Sequence, residues 1–217
     1  MRTQLLAGLR ALVALTVLCG LAYPLVVTGI AQAVFNDKAN GSLVERDGVV
    51  VGSSLIGQVF TSPEYFHTRP SAAGAAAAGA YVDVVDDAGE PTGELAPADL
   101  GDLGLVASGA SNLGPTNEDF LAMVAERVAA YRETNGLDST TLVPVDAVAA
   151  SGSGLDPHIS LANARLQAQR VADVRGLPLD AVLDVIDQHV TDRSLGFLGE
   201  NGVNVLMLNL DLDEVSP

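Results

Sequence analysis

The chain has a single cysteine, Cys19, so it has no partner for an intramolecular disulfide and no thiolate set for a structural zinc site or an iron–sulfur cluster. Cations are scarce: 11 Lys and Arg stand against 27 Asp and Glu, giving a formal net charge of −16 and a pI near 4.2. A surface of that sign repels phosphate backbones, which argues against a nucleic-acid partner. Lys38 is the only lysine, and no Gly-Lys-Ser/Thr phosphate loop or Gly-x-Ser-x-Gly nucleophile elbow is present. The three histidines, His67, His158 and His189, are far apart and lack the short-range pairing common in zinc sites, so no metal is expected. Only 18% of residues are charged while 48% are apolar, too greasy for a disordered acidic chain and enough for one packed domain with something more hydrophobic attached.

The apolar surplus lies at the start. Residues 11–36 are 26 consecutive uncharged positions rich in Leu, Val and Ala. A helix of that length reaches roughly 39 Å, more than the ~30 Å hydrocarbon core. It also exceeds the apolar region of a cleaved signal peptide, so residues 11–35 read as a retained transmembrane helix. Pro24 and Gly29 are tolerable there. Arg2 and Arg10 precede the span, which puts residues 1–10 in the cytoplasm and residues 36–217 outside it at the cell membrane. From residue 37 onward, 9 basic side chains face 27 acidic ones.

In the outer part, Leu43-Val44 and Val49 to Val51 flank Asp47-Gly48, the signature of a tight hairpin. Pro70 excludes helix at Arg69, so residues 53–70 should end extended. Residues 73–107 carry Ala and Gly runs and acidic side chains without one base, which reads as a mobile acidic loop inserted in the domain. Asn117 is placed to cap a helix that ends at Asn135-Gly136. Residues 140–150 read as a short strand and turn. Ser160 should cap a helix running to Arg175 and stopped by Gly176. After Pro178, Leu179, Val182, Leu183, Ile186 and Val190 form an apolar stripe opposite Asp180, Asp184 and Asp187. Alternation of Leu206, Leu208, Leu210 and Leu212 with Asn209 and Asp211 predicts a terminal strand over residues 203–212. The sum is an α+β domain behind one membrane helix.

The segment Ser151-Gly152-Ser153-Gly154-Leu155-Asp156-Pro157-His158-Ile159-Ser160 could offer backbone N–H groups to an anion, although a structural turn accounts for it as well. Asp156 and His158 straddle a proline, and with Ser151 or Ser153 they would make a hydrolase only by an unusual arrangement.

Several blocks, taken together and in order, resemble a known family. They are Gly52-Ser53-Ser54-Leu55-Ile56-Gly57-Gln58, Tyr65-Phe66 with Arg69-Pro70-Ser71-Ala72, and Ser111-Asn112-Leu113-Gly114-Pro115-Thr116-Asn117. Residues 151–160, Arg175-Gly176-Leu177 and Leu195-Gly196-Phe197-Leu198-Gly199-Glu200 follow. The chain is similar to the C subunit of the Kdp potassium-transporting P-type ATPase, departing from it in the length and acidity of residues 73–107. The resemblance implies an accessory subunit with no catalytic residues of its own. Its partners would be a channel-like potassium-binding subunit, an ATP-hydrolysing P-type subunit and a small stabilising peptide. It implies a catalytic-chaperone role that raises the pump's affinity for ATP, with potassium as the transported ion and no firmly bound cofactor. It also implies that Ser151, Gly152, Ser153, Gly154, Asp156 and His158 are candidates for nucleotide contact. Gln58, Tyr65, Phe66 and Arg69 are expected contact residues toward the channel-like subunit, because aromatics and Arg favour interfaces; the alternative is that Tyr65 and Phe66 are core and Arg69 pairs with a carboxylate. The competing class is a free-standing anchored sensor or binding domain.

Overall fold

The computed structural model describes residues 1–73, 81–85, 91–97 and 108–215, with backbone alone for 81–85 and 91–97. It divides into two units, Met1–Val44 and Glu45–Pro217.

The first unit is essentially one rod. Helix α1 (Arg2–Leu15) passes through a π-helical stretch, Thr16–Ala22, into α2 (Tyr23–Val34). Tyr23 N–H bonds the Leu18 carbonyl five residues back. Widened turns just ahead of Pro24 fit a ring that would clash with a carbonyl in the preceding α-turn. Arg2–Val34 is long and apolar enough to cross a membrane. The helix therefore begins nine residues earlier than the uncharged run, since Arg2 to Arg10 continue its periodicity. The short α3 (Asn36–Ala39) follows, where Asn36 and Asn40 amides donate to Gln32 Oε1 at 3.0 and 3.2 Å.

Strands β1 (Leu43–Arg46) and β2 (Val49–Ser53) form the expected hairpin, with Asp47 and Gly48 both at positive φ. Within the acidic stretch, β3 (Tyr81–Val85) pairs antiparallel with β4 (Pro91–Pro97). The sequence reads there as a mobile acidic loop; the described segments within it add a strand pair, and Tyr81-Val82-Asp83-Val84-Val85 is aromatic and β-branched, a local strand preference that the acid count obscured. The remainder of that loop, 74–80, 86–90 and 98–107, lies outside the described residues.

Helix α4 (Glu118–Thr134) starts where Asn117 accepts the Phe120 N–H at 2.9 Å. The strand expected near residues 140–150 is instead a turn and the one-turn helix α5 (Val145–Val148). Pro144 at its N-cap directs the chain there, and the buried Asp146 fixes it by accepting from Ser160 N, Ser160 Oγ and Asn163 Nδ2 at 2.7 to 2.9 Å. Strand β5 (His158–Ile159) leads to α6 (Leu161–Arg175), capped by Ser160 and closed by Gly176 in the left-handed conformation, as the sequence predicts. Helix α7 (Leu179–Gln188) buries Val182 and Ile186 and leaves Asp180, Asp184 and Asp187 in solvent.

The chain ends differently from expectation. Only β7 (Gly202–Asn204) is extended, lying between β5 and β6 (Val190–Thr191) in an antiparallel sheet, and α8 (Val205–Leu212) follows. Asn204 decides the switch, because its side chain accepts from Met207 N–H and caps a helix. Val205, Leu208 and Leu212 then share one helical face, and Asn209, expected on an outer face, is buried. Val171, Val182, Ile186, Val203, Leu208 and Leu212 form the core between α6, α7, α8 and the sheet.

Candidate functional site

Arg69 reaches residues 151–160 from the extended stretch ahead of Pro70. Its Nη1 donates to Asp156 Oδ2 at 2.7 Å, and the His158 N–H donates to Asp156 Oδ1 at 3.0 Å. His158 Nδ1 stands 3.6 Å from the same oxygen. The His158 imidazole and N–H, joined by the Arg69 guanidinium, hold the Asp156 carboxyl down to about 2 against partial burial, which pushes it up. Asp156 is therefore a permanent anion that fixes a turn.

The Ser-Gly-Ser-Gly loop is closed on itself. Gly154 N–H donates to Ser151 Oγ at 2.8 Å and Leu155 N–H to Ser153 Oγ at 3.1 Å. Its carbonyls are engaged too: Ser153 O accepts from Gly109 N–H at 2.8 Å, and Gly154 O accepts from Ser71 Oγ at 2.8 Å. Gly154 sits at φ +71°, and a Cβ there would lie 2.7 Å from the Gly109 carbonyl. Gly57 is equally confined, since its Cβ would stand 2.6 Å from the Asp156 carbonyl. These glycines allow close passage of backbone over backbone.

Beside this knot lies a cleft of about 580 Å³, lined among others by Arg69, Asp156, His158, Asp192, Leu198 and Glu200. Asp146 also lines it, so among the described residues Arg69 is the one guanidinium beside four carboxylates, and it is already paired with Asp156. Such a lining repels phosphate. A second cavity of about 370 Å³ brings together His158 and His189, which the sequence holds 31 positions apart. His189 Nε2 lies 2.8 Å from Asp211 Oδ2. Among the described residues no three His, Cys, Asp or Glu side chains are grouped to hold a metal.

The expected contact residues separate. Phe66 is fully buried in the core, where Asn209 bonds both its backbone groups, so the interface reading is corrected for this ring to a packing role. Gln58 is also inside the domain, donating to the Val51 carbonyl at 2.7 Å. Tyr65 remains partly exposed, with the Arg175 guanidinium 4.8 Å from its ring centroid. Arg69 is held by Asp156 as described. Two features escaped the sequence. One is the buried polar line of Asn163, Gln167 and Arg170 along α6, in which Gln167 bonds both backbone groups of His67. Its i, i+4 and i, i+3 spacing was visible, but nothing local marked that face as internal. The other is the exposure of the loop 192–201, whose residues 195–200 stand out in the sequence only as part of the family resemblance: Leu195 and Phe197 are 82% and 69% exposed.

The family profile described as "KdpC: K+-transporting ATPase, c chain" matches residues 5–214. The chain is 53% identical over 215 residues to the "Potassium-transporting ATPase KdpC subunit" of Mycobacterium tuberculosis, covering 99% of this chain and 100% of the relative. It is 50% identical over 204 residues to the protein of that name from Rhodospirillum rubrum, covering 94% and 92% of the two chains. For Cereibacter sphaeroides the identity is 48% over 213 residues, covering 98% of each.

Proposed function

The chain belongs to the KdpC family, and from that premise we propose that it is the accessory, non-catalytic subunit of an ATP-driven potassium import complex, anchored by its helix and raising the affinity of the ATP-hydrolysing subunit for ATP. The observation that carries this reading is the match over residues 5–214, which runs from the first turn of the rod to the end of α8. The other components are a channel-like potassium-binding subunit, an ATP-hydrolysing subunit and a small stabilising peptide. The N-terminus lies in the cytoplasm and the acidic domain outside, over the potassium entrance. Arg2 and Arg10 ahead of the span support that orientation.

ATP is cytoplasmic, so an external domain acts on its binding through the membrane subunits. Coupling of this kind is worth about 1–3 kcal/mol, roughly 5- to 150-fold in affinity. The chemistry of the cleft supports the indirect route over contact by Ser151, Gly152, Ser153 and Gly154: the loop hydroxyls already accept from their own backbone, and the adjoining wall is acidic.

Two measurements test the reading. In a Cys19→Ser background, Asn201→Cys should react with a membrane-impermeant thiol reagent on intact cells. Reaction only after lysis would reverse the orientation and make direct handling of nucleotide the better account. In the purified complex, omitting this chain should raise the apparent KM for ATP within the range above, and an unchanged KM would remove the chaperone role.

A further inference from the structure

We propose that the loop 192–201, between β6 and β7, is the element by which the outer domain docks on the pump, its apolar tip seating in an apolar socket edged by Lys or Arg on a membrane-embedded subunit. The proposal rests on the pump-subunit reading and names the contact that reading requires.

Leu195, Phe197 and Leu198 are 82%, 69% and 50% exposed, three large apolar side chains within four residues. Concentrated exposure of this kind is costly for an isolated domain and marks an interaction site. Leu195 also holds a left-handed backbone, φ +54°, which a branched side chain resists and which recurs at functional positions. The tip is pre-ordered. Gly196 N–H bonds Arg193 O and Leu198 N–H bonds Ser194 O, both at 2.9 Å, and Ser194 and Leu198 form an isolated antiparallel bridge. Gly196 and Gly199, both at φ +81°, make the bends. A loop already fixed in shape loses little entropy on docking.

Charge selects the occupant. Asp192 and Glu200 stand at the base of the tip and line the 580 Å³ cleft, and neither makes an ion pair among the described residues. Arg193 offsets one of them. Val145, which also lines the cleft, is 75% exposed, and Asp192 and Glu200 are exposed as well, so the cleft offers an aliphatic edge together with accessible carboxylates, matching the stem and head of a Lys or Arg side chain. An anionic lipid surface would be repelled by a domain with 27 acidic and 9 basic side chains. A second copy would set acidic rim against acidic rim.

The test places a photo-crosslinking amino acid at Phe197 of the full chain in the membrane-extracted complex. Irradiation should join this chain to a large polytopic subunit. Adducts only to lipid or to a second copy, or none from an intact complex, would overturn the docking role. Independently, the double substitution Leu195→Asp with Phe197→Asp should lower co-purification of this chain at least tenfold with its own thermal unfolding unchanged. Undiminished co-purification overturns the docking loop alone, whereas failure of the unsubstituted chain to co-purify overturns the subunit reading.

Discussion

Arg69 shows how one side chain joins segments distant in sequence. Its bond to Asp156 is charge-assisted and partly exposed, so Arg69→Ala should lower the unfolding free energy by about 1–2 kcal/mol, measured by urea denaturation. The same substitution should loosen the purified complex, and intact assembly with unchanged transport would count against a positioning role for Arg69 at the interface. Because the Asp156 carboxyl is held at about 2, below its unfolded value near 3.8, its stabilising effect is complete above pH 4 and is lost as pH falls through 2. Asp156→Asn should flatten that part of the stability–pH curve. His67 behaves oppositely in range: burial, and then the Arg170 guanidinium, push its imidazole below the ordinary value. The unfolded chain binds a proton below about pH 6.5 where the native one does not, so stability declines as pH drops below that value. His67→Gln should remove this slope in denaturant titrations between pH 5 and 7, and an unaltered slope would exclude His67 as its source.

At the level of elements, capping decided what alternation could not. Asn204 both caps α8 and donates its amide to the Ser54 carbonyl at 2.8 Å, so Asn204→Ala should cost about 1–2 kcal/mol and reduce helical signal on mild heating. The leucines of residues 206–212 satisfy a period of two by spacing alone; their burial in the fold follows the helical period because an N-cap precedes them. The helices α4, α6 and α7 were legible, since each has a capping residue or proline at its start and a contrasting polar face. Residues 140–150 were not, because the role of Asp146 comes from bonds to α6. Gly154 belongs to this scale too: Gly154→Ala forces a side chain into positive φ and against the Gly109 carbonyl, and should destabilise the 151–154 loop by about 1–3 kcal/mol, read as earlier proteolysis there.

For the whole molecule, the proposed placement of the acidic body beside the potassium entrance predicts that it concentrates cations there, an effect that fades as the Debye length shrinks to about 8 Å at physiological ionic strength. Apparent potassium affinity in the assembled complex should therefore weaken with added inert salt, and variants neutralising Asp83, Asp86, Asp87, Asp99 and Asp102 should lose that dependence; if they keep it, the acidic surface plays no such part. The membrane rod, the acidity of the body, the caps at Asn117 and Ser160 and the absence of thiolate sites followed from the sequence, because length, charge and capping are local properties. The burial of Phe66, the pairing of Arg69 with Asp156, the self-closed serine loop and the exposure of Leu195 and Phe197 were decided only by tertiary structure. Each depends on which segments of a long chain meet, and a hydrophobic or charged side chain has the same local sequence signature whether it ends in a core, an ion pair or solvent.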